Sequence, residues 1–552
     1  MSNFINALQT FTPTQVGEKG HAEKAWSFDI DEKIVQFFFQ LVRSEDHSDL
    51  ERHLHDILGK LKSVLSVSQN SKAMKQLTIM YKLIGQTRDL VMGKGEQQLA
   101  FMQIFIWGQY FPELAANAFI HFVKSSEHPY GSWKDIKYCA KFIKDKTSDS
   151  EHPLIIHMCK LLCGQLNDDW VQTIAYEMFP EFLSSTSSDN PESWRSAKRK
   201  CKIHLRKRLS ALNEYLDTTQ VKQCGDNWSK IDFNTVTTQT MRKQKRSFQN
   251  KTKRNLQKSE KDDRIQCSQN FKNHIEAAKA DPGRHKVHGK RCNTFELVKD
   301  ALQHDLRTPQ SETDIDTVNL QWRDNLKNNK GLGKLPIVAM ADTSGSMETD
   351  GCIPLYNSIG LSIRCSELTH PVFKNQVLIF DHQPQWCDLS DCPDVWSKVW
   401  KLKRASWGTS TQIYKAFKMI LDACIKNEVP PKEVQGMILA IFSDMQIDCN
   451  CVQANPWSDH VLADEIEAMY AKYGYSAPHL LFWNLRKTSG FPTLSSKNNC
   501  TMLSGYNSTL LNVFCDKGID ALKEFTPWRM LDDLLANPRY AVMEEDIISY
   551  FN

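Results

Sequence analysis

The period of the hydrophobic pattern changes once along these 552 residues, and that change limits the chain to a helical array followed by an alternating α/β unit. From Phe28 onward, IVQFFFQLV, LERHLHDILGKLKSVL and MKQLTIMYKLIG space apolar residues as a helix with one buried face requires. Strand-like alternation is scarce there. The apolar stretch 101–123 is interrupted by Gln103, Gln109, Glu113, Asn117 and His121, which a bilayer span would not carry, so a buried helix pair is predicted. Ser132 and Asp135 in SWKD form a capping-box pattern, and LIIHMCKLLC and DWVQTIAYEMF extend the helical run. Beyond the polar connector NNKGLGKLP the pattern changes. The apolar run IVAMAD and strand-like runs at 376–380, 437–442 and 479–483 alternate with helical ones at 355–367, 413–426 and 462–472. That order predicts a mostly parallel, doubly wound sheet with helices on both faces. The expected division is an all-helical, repeat-like region over 1–327, a linker over 328–335, and an α/β domain with a helical tail over 336–552.

With 41% hydrophobic and 24% charged residues, the chain is neither largely disordered nor embedded in a membrane. The start MSNFINALQTFTPTQ has no basic stretch leading into an apolar core, so the expected location is cytoplasmic or nuclear and no membrane partner is expected. The 16 cysteines include no C-x-x-C pair and read as reduced core thiols. Cys387, Cys392, Cys449 and Cys451 with His460 cluster most tightly, but their spacings fit no common zinc pattern.

Charge is unevenly placed. Residues 195–291 hold 26 Lys and Arg against 9 Asp and Glu, an excess of 17, which leaves −13 on the rest of a chain whose formal charge is +4. Such a block suits a polyanion, most often nucleic acid, although a solvated linker has the same composition. Lys198, Arg199, Lys200, Arg206, Lys207 and Arg208 in ESWRSAKRKCKIHLRKRLSALNEYL, and Arg242, Lys243, Lys245 and Arg246 in TMRKQKRSF, are the candidate phosphate contacts. Trp194 and Trp228 could stack on bases or fill a core. The pieces TMRKQKRSFQNKTKRNLQKSEKDD and DPGRHKVHGKR look mobile.

ADTSGSM follows the first expected strand directly, where ligands of an open parallel sheet gather. Asp342, Ser344 and Ser346 offer a carboxylate and two hydroxyls, hard oxygens suited to Mg²⁺, with Mn²⁺ or Ca²⁺ as alternatives. A Ser-rich turn capping a helix would look the same. The arrangement resembles the metal-ion-dependent adhesion site (MIDAS) of von Willebrand factor A-type domains. Its second and third motifs are matched in order by WGTST, giving Thr409, and by AIFSD, giving Asp444. Thr411 competes for the role of Thr409, and Asp448 for that of Asp444. Asp381 and His382 in IFDHQP stand where a second strand should end, placed to orient metal-bound water or to cap the loop.

More narrowly, LPIVAMADTSGSM, PHLLFWNLR and SGYNSTLLNVF resemble an uncharacterised family of plants, fungi and large DNA viruses that is distantly similar to the Ro autoantigen (TROVE) family. QTRDLVMGKGEQQ, YGSWKDI and WSKIDFNTVTTQTMRKQKRSF resemble that relative's helical region. The resemblance implies a HEAT-like helical array that binds RNA, joined to an A-type domain carrying Mg²⁺. Two other roles follow from it: a protein-interaction module whose partner's carboxylate completes the metal's coordination, and a structural or packaged component of a virus particle.

Catalytic signatures are missing. GKGE at 93–96 and HGKR at 288–291 lack the spacing and the Ser or Thr of a phosphate loop, although Lys94 and Arg88 could still touch phosphate. Neither a G-x-S-x-G elbow nor H-E-x-x-H occurs. A binding protein is expected, and a metal-dependent hydrolase is the least favoured alternative.

Overall fold

The computed structural model describes residues 11–552 apart from 69, 125–128, 150, 164–179, 185–189, 253, 303–310, 330–334, 380–383, 406–412, 447–461 and 515–518. Leaving one-turn pieces aside, the described residues open with a two-stranded antiparallel hairpin, β1 (Thr14–Val16) and β2 (Ala22–Lys24). The helices α1 (Ile30–Gln40), α2 (Ser48–Val67), α3 (Ser71–Arg88), α4 (Gln97–Tyr110) and α5 (Pro112–His121) follow. The last two are the expected buried pair, separated where Pro112 opens a new first turn. Next come α6 (Trp133–Thr147), α7 (Pro153–Cys163), α8 (Pro191–Leu216), α9 (Thr238–Phe248), α10 (Asp262–Ala280), α11 (Thr294–Leu302) and α12 (Glu312–Leu326). At α6 the Ser132 amide donates to Asp135 Oδ2 at 2.7 Å, the reciprocal cap that the sequence announced.

From residue 337 the strands β3 (Ile337–Ala341), β4 (Gln376–Ile379), β5 (Gln385–Asp388), β6 (Ile438–Ser443), β7 (His479–Asn484) and β8 (Cys500–Ser504) form one sheet in the order β5-β4-β3-β6-β7-β8. All pairings are parallel except that of β4 with the edge strand β5. Between the strands run α13 (Thr349–Leu368), α14 (Val395–Ala405), α15 (Ile413–Lys426) and α16 (Leu462–Ala471), and α17 (Pro527–Leu535) and α18 (Ala541–Phe551) end the chain. The chain enters at β3, winds outward to β5, then returns beside β3 as β6. Winding therefore reverses between β3 and β6, which places a topological switch point at their carboxyl ends.

Compact units do not follow the expected boundary at 328–335. One joins Met1–Gly131, Gly289–Gln310 and Val318–Asn552, and the other comprises Ser132–His288 with Ser311–Thr317. In the first, α1 packs on β8 and on α17, while α3 takes α17 and α18. Phe37, Phe38 and Phe39 of α1 are wholly buried there. Lys94 is buried too, its ammonium donating to Phe38 O at 2.6 Å, Leu41 O at 3.1 Å and Ser504 Oγ at 2.5 Å, and burial pulls its pKa well below the usual lysine range. Lys94 thus ties the end of α1 to β8, and with Arg88 also buried, neither residue of this loop is placed to meet a phosphate. In the second unit, Phe248 of α9 packs on Phe233 and Phe271, with ring centroids 5.3 and 5.7 Å away. The stretch TMRKQKRSF, expected to be mobile, is a helix because Met241 and Phe248 supply it with a buried stripe. Among the described residues no helix is long and apolar enough to cross a membrane.

Candidate metal centre and basic face

All five residues of β3 are buried, and the Asp342 amide extends the ladder by one bond to Phe442 O at 3.1 Å. The side chain of Asp342 is thereby delivered to the switch point, fully buried. Its Oδ1 accepts from the Ser344 amide at 2.9 Å, and its Oδ2 accepts from Ser443 Oγ at 2.5 Å. The Ser344 hydroxyl makes no capping bond to the 3₁₀ turn that follows and instead lies 3.1 Å from Ser346 Oγ. The turn-cap alternative therefore loses its main use for that hydroxyl. Beyond the motif, Asp350, Gly351 and Cys352 take φ of 50, 68 and 63° in succession before Pro354 starts the straight part of α13.

Asp444 follows β6 and is likewise fully buried. Its Oδ1 accepts from the Gln446 amide at 3.1 Å and its Oδ2 from Arg486 Nε at 3.0 Å. Met445 between them has φ of 60°, a left-handed conformation costing a non-glycine residue on the order of 1 kcal/mol, and Ser443 Oγ accepts its amide at 3.0 Å. Burial, and next the charge of Asp444, push the Asp342 carboxyl up to about 6, while the bonds from Ser443 and Ser344 act in the opposite sense. Two carboxylates that strain against each other in a buried site, beside two hydroxyls, suit a hard divalent cation.

Four of the five expected ligands, Asp342, Ser344, Ser346 and Asp444, lie at the neighbouring ends of β3 and β6. Thr409, its competitor Thr411, the expected outer residues Asp381 and His382, and Asp448 fall outside the described residues. So do Cys449, Cys451 and His460 of the cysteine cluster, and among the described residues no group of three or more His, Cys, Asp or Glu side chains is arranged to hold a metal ion. The fit to a cation thus depends on the serine hydroxyls. Sequence reading missed Ser443, Gln446, Arg486 and Glu18. Arg486 was findable in principle, standing two residues past the last residue of β7 on the rim where ligands gather. Glu18, 468 residues away in sequence, was not: its Oε2 accepts from Arg486 Nη2 at 2.8 Å.

The basic segment places part of its charge in solvent. Along α8, Ala197, Cys201 and Leu205 recur every four residues and are buried. Arg199, Lys200, Arg206, Lys207 and Arg208 are exposed, and Lys198 is half-buried with its ammonium 5.4 Å from the Trp194 ring. On α9, Lys243 is exposed and Arg242 and Arg246 are half-buried, whereas Lys245 is buried on the same side as Met241 and Phe248 and is withdrawn as a phosphate contact. The Trp228 ring is covered by the Arg264 guanidinium at 3.5 Å, which favours its packing role over base stacking.

The family model described as a domain of unknown function (DUF7788) matches residues 337–536, from β3 to just past α17. An uncharacterised protein of Acanthamoeba polyphaga mimivirus, L728, is 24% identical over 522 residues, covering 90% of this chain and 83% of its own. The crystal structure of the Ro (RSR) protein of Deinococcus radiodurans aligns with 88% of this chain and 99% of its own at 11% identity and a TM-score of 0.36. The chain is therefore similar to a viral protein over most of its length, and its sheet-bearing part to a domain without an assigned role.

Proposed function

We propose that the protein is a non-enzymatic RNA-binding scaffold of Ro type, with a Mg²⁺-dependent adhesion-type site at the carboxyl ends of β3 and β6. The observation that carries the RNA reading is α8, whose buried stripe leaves Arg199, Lys200, Arg206, Lys207 and Arg208 in solvent. Clustered, exposed cations neutralise phosphates without reading base identity, so binding is sequence-tolerant and salt-sensitive. Asp342, Ser344, Ser346 and Asp444, with Thr409, would hold the cation, which supplies a positive centre for an anionic group of the ligand.

Fluorescence anisotropy of a labelled single-stranded oligonucleotide tests the reading. Reversing Lys198, Arg199, Lys200, Arg206, Lys207 and Arg208 to Glu is expected to abolish binding. Full binding by that variant would leave α8 a solvated helix and bring forward the protein-interaction reading, in which a partner's carboxylate meets the metal.

A further inference from the structure

Among the described residues, the rim where Asp342 and Asp444 meet is unbalanced in charge. Asp342, Asp444 and Glu18 are carboxylates, and Arg486, bonded to the last two, is a single guanidinium. One divalent cation would neutralise the set. Glu18 differs from the other two acids in being half exposed, while they are fully buried. It stands in the turn between β1 and β2, where its amide donates to Gln446 Oε1 at 2.9 Å and its carboxylate rests on Arg486 Nη2. The hairpin lies along the loop after β7: Lys24 bridges to Phe491, and Gln15 and Glu23 meet Ser489. At the same rim Gln446 Nε2 and Thr343 Oγ1 are buried without a hydrogen-bond partner among the described residues.

We infer that Arg486 is an anion-receiving residue beside the metal motif, that it receives a phosphodiester of single-stranded RNA, and that Glu18 is its internal occupant. The inference rests on the RNA reading and adds to it a contact site and a competitor. A phosphodiester and a glutamate each carry one negative charge, so exchanging one for the other leaves the rim balanced once a divalent cation is bound. The exchange is undemanding because a half-exposed ion pair holds weakly in water. Arg486 presents a planar fork suited to phosphate oxygens. Phosphate is favoured over a foreign carboxylate by the excess of 17 positive charges on 195–291, which suits a polyanion.

The test uses the full chain in Mg²⁺ with a labelled oligouridylate, and an oligoglutamate peptide as the carboxylate probe. Glu18→Gln is expected to tighten oligouridylate binding by about fivefold, the scale of one half-exposed ion pair, and Arg486→Lys to weaken it comparably. Hydrogen exchange at the amides of β1 and β2 should quicken when the oligonucleotide is added to the parent. Parental affinity in both variants with unchanged hairpin exchange would overturn the inference, while loss of binding in the α8 charge-reversed protein would leave the RNA reading standing. Tightening by Glu18→Gln toward oligoglutamate alone would overturn the phosphate assignment. Absence of oligouridylate binding by the parent would remove the RNA reading and this inference with it.

Discussion

Asp342 is held on both carboxylate oxygens, by the Ser344 amide and the Ser443 hydroxyl. Its orientation is therefore built into the fold. Replacing Asp342 by Ala removes the only carboxylate of the first motif, and calorimetric titration with Mn²⁺ should give heat with the parent and none with the variant. Unchanged affinity would refute the assignment. His479 gives a separate expectation, in stability. Its ring bonds Leu522 O and Thr501 Oγ1, each at 3.1 Å, and burial lowers its pKa to about 4 from 6.5. The unfolded chain then binds the extra proton first as pH falls, so this contribution is complete above about pH 6.5 and is lost as pH falls toward 4. The 2.5-unit difference corresponds to about 3 kcal/mol. Urea unfolding at neutral pH and near pH 4.5 should show that loss in the parent, and His479→Gln should flatten it.

At the scale of elements, α9 is the clearest case of packing deciding what composition left open. Phe248→Ala should destabilise its unit by about 3 to 5 kcal/mol in denaturant unfolding, the usual cost of removing a buried Phe from a core. A negligible loss would mean that the aromatic cluster with Phe233 and Phe271 does not hold the helix. Strands β3, β6 and β7 were legible because their residues are buried and apolar on both faces, as central parallel strands demand. The edge strand β5 was not, since only Cys387 of its four residues is buried. Nor was β8, whose CTMLS reads half polar; it is fully buried because Thr501 meets His479 and Ser504 meets Lys94. Of the site, residues joined by short spacing were readable, as with Asp342, Ser344 and Ser346. Arg486 had only its place past β7 as a signal and Glu18 had none, because the contact between them comes from tertiary folding.

Over the whole molecule, the helical and the α/β regions are not separable at 328. A fragment of 336–552 would lose α1 to α5, leaving Ser504 without Phe38 O and Lys94 and the α17 and α18 faces bare. Such a fragment should lack a cooperative thermal transition and a near-ultraviolet circular dichroism signal, whereas the full chain should show both. The RNA reading also has a molecular-scale signature: if about six phosphates are neutralised, log affinity should fall with log salt at a slope of roughly −4, about −0.7 per contact. A flat response across an anisotropy salt series would leave the basic segment a linker.

The clasp between Arg539 and Asp89 joins residues 450 positions apart, through Nε to Oδ2 at 2.6 Å and Nη2 to Oδ1 at 2.8 Å. On the ribosome, Asp89 emerges long before its partner is made. At about 5 to 20 residues per second, the interval is roughly 20 to 90 seconds. During it, the faces of α1 and α3 that pack on β8, α17 and α18 are without those partners. The core that α1 and α3 begin is therefore closed only once α17 and α18 have been made.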